Sequence, residues 1–281
     1  RVTCSRTTHR SRREGTGSGD QSADTSLRSI GVVTVGRTDW SIWKPVLEGI
    51  RKEPGLELRL YVTGSHLSPE FGMTVTDVLD DGFEVSERIE VLMSSDSPQG
   101  VAKAMGLGIL EFAQVFDRSR PDILLVVGDR FETLAAVTAA MPFKIPVAHL
   151  HGGESTEGAI DQLIRHAITK MSHLHFPATQ EYADRILGMG EEPWRVVVAG
   201  APGLDAIAKT APLSRGNFSR TYGVDFQRPF LLVTYHPVTL EYEETGSQVG
   251  NLLCALDQFD LPLLLTYPNA DTSGRQVLSM L

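Results

Sequence analysis

The stretch PDILLVVGDRFETLAAVTAAMPFKIPVAHLHGGE, residues 121–154, decides the fold. It opens with an aliphatic run, Ile123 to Val127, that stops at Gly128 and the charged pair Asp129 and Arg130. A segment from Glu132 to Met141 reads as a helix, and a second apolar run, PVAHLHG, starts at Pro146. Short apolar strands alternating with helices form a parallel sheet, because each crossover helix covers a face and leaves the strands buried on both sides. The same alternation continues outward in both directions. Strands are expected at IGVVTV from Ile30 and LELRLYVTG from Leu56, with helices at Trp40–Arg51, Gln99–Phe116 and Ile160–Met171. In the helix after Val101, residues Met105, Leu107, Ile109, Leu110, Phe112 and Val115 recur at helical spacing and are expected to pack in the core. After LHFPAT the pattern restarts with strands at RVVVAG, FLLVTYH and LPLLLTYP, which places a boundary near Ala178. The expected fold class is therefore α/β, with a disordered tail over residues 1–28, a first unit over 29–178 and a second over 179–281.

Composition narrows the function. The 281 residues are 41% hydrophobic and 22% charged, as in ordinary soluble globular proteins, and no apolar run reaches the length of a membrane helix. A formal net charge of -9 argues against a general nucleic-acid binder, so an anionic ligand requires locally placed arginines. Cys4 and Cys254 lie far apart in unlike contexts, which suggests neither a disulfide framework nor a cysteine metal site and fits a reducing cytoplasm. The first 26 residues are rich in Arg, Ser, Thr and Gly and poor in large apolar side chains. They bury too little to offset their ordering entropy, and they lack the apolar face of a transit peptide. The sequence begins without Met and stops at Leu281 inside a helical pattern, so both ends are expected to be those of a fragment.

In open parallel sheets, ligands sit outside the carboxyl ends of the strands. Four of those ends here carry polar groups suited to a sugar diphosphate: Arg37; Asp129 with Arg130; Glu154; and His236. The first strand ends in GRTDWS, without a GxGxxG turn, so no dinucleotide cofactor is indicated. His149 and His151 alternate along one run with Glu154 close behind, and such spacing would place both rings on one side, superficially like a metal site. No recognisable ligand set accompanies them, and neither metal nor cofactor is expected. His166, His173 and His175 read as packing or helix-end residues. Arg165 follows Asp161 by one turn, so a surface i, i+4 ion pair is the simplest structural reading of both.

GSHLSPEFG, GDRFE, HLHGGE, IDQLIRHAITKMSHLHF, YHPVT and YPNAD occur in that order between Gly64 and Asp271. Together they make the chain resemble the sialic-acid branch of the hydrolysing UDP-N-acetylglucosamine 2-epimerases over nearly everything from Ile30 to Leu281. That resemblance implies two Rossmann-like domains in a GT-B-like arrangement, with the second truncated here because the family continues past this point with further strands and a Gly-Ser-Ser segment. It also implies a two-step reaction. UDP leaves as the carbon 2 proton is lost, and water then adds to the resulting acetamidoglucal to give N-acetylmannosamine. Elimination and hydration both need positioned acid and base groups, and the developing diphosphate charge needs cations. By resemblance Asp129, Glu154 and Asp161 are the catalytic carboxylates, while Arg37, Ser41, Arg130, His236 and Asn269 hold UDP. The expected partner is a UDP-sugar, with no nucleic acid or membrane, and the full-length protein is expected to be a homodimer or homotetramer. A related epimerase acting on a UDP-diacetamido sugar, a non-hydrolysing epimerase and an inactive nucleotide-sugar-binding fragment are the alternatives.

Overall fold

The computed structural model describes residues 27–281 apart from residues 96, 224–227, 267 and 269–272. The expected tail lies outside the described residues except for its last two, and Arg28 already belongs to a strand. Six strands form one sheet: β1 (Arg28–Thr34), β2 (Leu56–Thr63), β3 (Glu87–Ile89), β4 (Ile123–Val127), β5 (Val147–Leu150) and β6 (Leu174–Phe176). All pairings are parallel and the spatial order is β3-β2-β1-β4-β5-β6. The helices between them are α1 (Arg37–Lys52), α2 (Val75–Asp80), α3 (Pro98–Arg118), α4 (Phe131–Ala140) and α5 (Asp161–Met171), followed by α6 (Gln180–Gly188), α7 (Pro202–Lys209) and α8 (Arg215–Tyr222). A second, two-stranded parallel sheet pairs β7 (Leu231–Val233) with β8 (Leu263–Leu265); α9 (Thr245–Leu256) connects them and α10 (Gly274–Met280) follows.

The period of two along each central strand feeds two cores. Val33, Val35, Tyr61, Leu124 and Val126 face α3, α4 and α5, where Phe112, Phe116, Ala136 and Ile168 close the layer. Val32, Leu60, Val62 and Val127 face α1 and α2, against Trp43, Leu47 and Val78. The indole N–H of Trp43 donates to the Val33 carbonyl at 2.9 Å, which fixes α1 on β1. At the opposite end, Asp122 joins β1 to β4: its carboxylate accepts from the Ser29 amide at 2.7 Å and the Ser29 hydroxyl at 2.8 Å.

Two expectations need correction. RVVVAG does not open the second sheet. Val196 bridges His175, and the amides of Val197 and Ala199 donate to the carbonyls of His175 and Pro177, so this stretch satisfies the edge of β6. Residues beyond Ala178 thus first extend the six-stranded sheet, α7 packs on α1, and the second sheet begins only at β7. In α3 the buried face runs through Ala104, Gly108, Phe112, Val115 and Phe116, a four-residue spacing that leaves Leu110 on the opposite side and exposed.

The turn after β5 depends on glycine. Gly153 has φ of +79°, and a Cβ there would lie 2.4 Å from the Tyr182 carbonyl oxygen. Arg185 donates to the Gly153 carbonyl, tying the turn to α6. Gly153→Ala should therefore lower stability by about 2 kcal/mol or more. Gly106→Ala, placed in the middle of α3 with open space around it, should raise it by about 0.5–1 kcal/mol. Urea unfolding of the two variants beside the parent checks both signs; equal effects would show that backbone conformation does not control this turn.

Candidate active site

The chain leaves β1 in one direction to build β2 and returns from the other to build β4, so a crevice opens where β1 and β4 lie side by side. A cavity of about 700 Å³ occupies it and continues over the end of β5. Its wall brings together Asp129, Arg130, Glu154, Asp161 and His236, five of the eight residues expected in the site. Arg37 lines a neighbouring recess of about 310 Å³ at the start of α1, which shares Thr38, Asp39 and Arg130 with the main cavity. Ser41 borders neither space; it is exposed and its hydroxyl donates to the Thr38 carbonyl at 2.8 Å. Asn269 lies outside the described residues. A third recess of about 240 Å³, largely apolar, is walled by Val101, Met105, Phe131, Ile164 and Leu240 and meets the main cavity at Arg130 and Asp161.

Each polar group is set by local structure. Gly128 takes φ of +68° after β4, turning the chain so that Asp129 and Arg130 face the crevice before α4 begins. Arg165 is buried in α5 and donates to the Asp129 carboxylate and, at 3.0 Å, to the Thr156 hydroxyl. It therefore lies inside the site and not on a solvated helix face, as the simple i, i+4 reading had it. Arg130 approaches the fully buried Glu132 at 3.8 Å. His236 is exposed at the rim, on the segment that follows β7.

The two histidines of HLHGGE do not share a face. His149 is fully buried: its Nε2–H donates to the Gly128 carbonyl at 2.8 Å, and Nδ1 lies 3.2 Å from the Thr169 hydroxyl. Burial lowers its pKa to about 4, so it is neutral and acts as a brace for the Gly128 turn. His151 leaves the strand with φ of +59° and lines the cavity, its Nδ1 2.7 Å from Oε1 of Glu154. Among the described residues no group of three or more His, Cys, Asp or Glu side chains is placed to hold a metal ion.

Sequence reading missed Asp39, which borders both the main cavity and the Arg37 recess. The available signal was its place in GRTDW, in the first turn of α1, where acidic residues accept backbone N–H groups. Its carboxylate accepts from the Val35 amide at 3.1 Å.

An all-parallel sheet in this strand order, with carboxylates and guanidinium groups gathered at its switch point, is the architecture of α/β proteins that bind phosphorylated ligands at strand ends. Residues 48–281 match the family model described as UDP-N-acetylglucosamine 2-epimerase, and the chain belongs to that family. It is 37% identical over 251 residues to the UDP-N,N'-diacetylbacillosamine 2-epimerase (hydrolyzing) of Legionella pneumophila, covering 89% of this chain and 66% of that protein. It is 35% identical over 250 residues to the GDP/UDP-N,N'-diacetylbacillosamine 2-epimerase (hydrolyzing) of Campylobacter jejuni, covering 89% of this chain and 65% of that one. The chain thus spans just under two thirds of the length of these relatives. Among solved structures it is similar in fold to the Methanocaldococcus jannaschii UDP-GlcNAc 2-epimerase in complex with UDP-GlcNAc and UDP, with a TM-score of 0.72, 17% identity and coverage of 89% and 68% of the two chains. The fold is accordingly Rossmann-like α/β, of the GT-B-like kind seen in solved UDP-GlcNAc 2-epimerases.

Burial raises the Asp39 carboxyl to about 6, against the opposing pull of Arg130 and the Val35 amide. A raised carboxyl pKa means that the folded protein keeps a proton which the unfolded chain releases near 4. Stability is then lost as pH rises from about 4 to about 6, and the cost is complete above that window. Asp39→Asn keeps an acceptor for the Val35 amide and carries no charge. It should be more stable than the parent at pH 7.5 by between about 1 and 3 kcal/mol, with the difference vanishing near pH 4. Urea unfolding at the two pH values checks this; a pH-independent difference would mean that Asp39 titrates normally.

Proposed function

We propose that this protein is a hydrolysing 2-epimerase of UDP-activated 2-acetamido sugars, releasing UDP and the sugar inverted at carbon 2. The observation that carries the reading is the single cavity in which Asp129, Glu154 and Asp161 face Arg130 and Arg165. The carbon 2 proton is a weak acid until departure of the diphosphate builds positive charge at carbon 1. Loss of that proton and loss of UDP therefore proceed together, followed by addition of water across the new double bond. Arg130 and Arg37 supply fixed forks of donors for the phosphate oxygens, and the N-terminus of the 16-residue α1 adds N–H groups beside them. His236 approaches from the segment after β7 and contributes on the nucleotide side. Asp129 and Asp161 serve proton transfer and water activation, while Glu154 stands beside His151. None of these steps calls for a redox cofactor or a metal.

For the sugar, a diacetamido hexose is the first choice. The relatives at 37% and 35% identity carry that substrate in their names, and the apolar recess beside Asp161 offers room for an acyl methyl group. UDP-N-acetylglucosamine, to which the sequence motifs pointed, is the comparison substrate. UDP release and product stereochemistry measured with both sugars on the intact protein test the proposal. Asp129→Asn and Asp161→Asn should each reduce turnover by about a hundredfold or more; Asp161→Asn leaves the fold intact, while Asp129→Asn also leaves the buried Arg165 without its ionic partner and lowers stability. Turnover should also withstand exhaustive chelation and need no nicotinamide. Near-parental rates in both variants would defeat the assignment of the site.

A further inference from the structure

His151 has no part in the carboxylate scheme, yet it stands in the cavity wall. Its left-handed backbone, with φ of +59°, is one that residues other than glycine adopt rarely and that clusters at functional sites. That conformation separates its ring from buried His149 and sets Nδ1 at 2.7 Å from Glu154 Oε1. With the carboxylate as acceptor, the proton of the neutral imidazole is held on Nδ1, and the lone pair is left on Nε2. Nε2 is shielded from bulk water and has no hydrogen-bond partner among the described residues. Unpartnered buried nitrogens are uncommon, and an imidazole oriented by a carboxylate with its other nitrogen unused is the arrangement of a general base.

We propose that His151 is the catalytic base of the elimination step, with Glu154 its positioning residue. Nε2 takes the proton from carbon 2. The C–H electron pair becomes the carbon 1–carbon 2 double bond as the carbon 1–oxygen bond breaks and its electrons leave on UDP. The imidazolium then returns its proton to solvent. Glu154 holds the ring in place without touching the sugar. Inversion at carbon 2 requires the returning proton to arrive on the face opposite to the one it left, so one group cannot serve both steps. Asp129 and Asp161, presented from the end of β4 and the start of α5, are left for hydration.

This inference rests on the epimerase reading, and parental protein run in parallel separates the two: no UDP release from either UDP-sugar would sink that reading first. The informative variant is His151→Gly. Glycine accepts the positive φ at this position, so the melting temperature should stay within about 5 °C of the parent. UDP release should fall about a thousandfold with UDP affinity retained, and added imidazole should recover at least about tenfold. Hydration of the separately prepared acetamidoglucal should stay within roughly threefold of the parent, because that step does not use His151. Glu154→Gln still accepts from Nδ1 and should lose only about tenfold in kcat with little change in KM. A His151→Gly protein that releases UDP within roughly fivefold of the parental rate overturns the proposal, as does one that loses glucal hydration to the same degree as UDP release.

Discussion

The buried guanidinium of Arg165 is the constraint on which the rest of the cavity depends. A charge held away from water is tolerated only when it is paired, and removal of one partner strands the other. Arg165 meets the requirement by joining three segments: its own helix α5, the Asp129 carboxylate after β4 and the Thr156 hydroxyl in the loop before α5. Those segments carry Asp129, Glu154 and Asp161, so one side chain sets the mutual placement of all three. His149 adds a second tie beneath it, linking Gly128 to α5 through Thr169, whose hydroxyl also meets the Arg165 carbonyl at 2.9 Å. A neutral histidine and a paired arginine thus do with two buried polar groups what a metal ion does at other strand-end sites.

Much of the first sheet was legible in the sequence because its strands are buried on both faces and read as unbroken aliphatic runs. Ile123 to Val127 announces itself with no periodicity to misread, and Val147 to Leu150 is interrupted only by His149. β3 and β6 are three residues each and carried no such signal. RVVVAG looked like a new strand and is extended backbone, but nothing local says which sheet edge it will satisfy; that is decided by the free carbonyls of β6. Leu110 was misplaced for a related reason, since a helix rich in apolar residues on several sides does not declare which stripe is inward.

Within the site, most of the residues picked out from motifs follow strand ends, where the loop position itself is informative, and Asp161 begins α5. Asp129, Arg130, Glu154, Asp161 and His236 do converge on one cavity. Those that escaped had competing explanations. Asp39 stands in the first turn of α1, a place where an acidic residue is accounted for by the helix start alone. Arg165 resembled a surface ion pair because spacing along a helix says nothing of what lies opposite. His151 seemed to match His149 because alternation presumes that the strand continues, and β5 ends at Leu150. A reversal of φ at a single residue separates the two rings, and no pattern of residue types records it.

The strand order has a consequence for how the molecule is made. β2 forms beside β1 after one short crossover, but the other neighbour of β1 comes much later: the Ser29–Asp122 clamp joins residues 93 positions apart. Closing a loop of that length costs about 4 kcal/mol of chain entropy beyond the length-independent part, and it must be met before the β1–β4 contacts repay it. The crevice is the seam that this closure creates. During synthesis, then, a chain that has emerged only as far as α3 can pair β1, β2 and β3 and shape most of the Arg37 recess, yet it lacks Asp129, Glu154 and Asp161. The carboxylates of the main cavity come together only when β4, β5 and α5 have joined the sheet, so that part of the crevice and the closed sheet form in a single folding event.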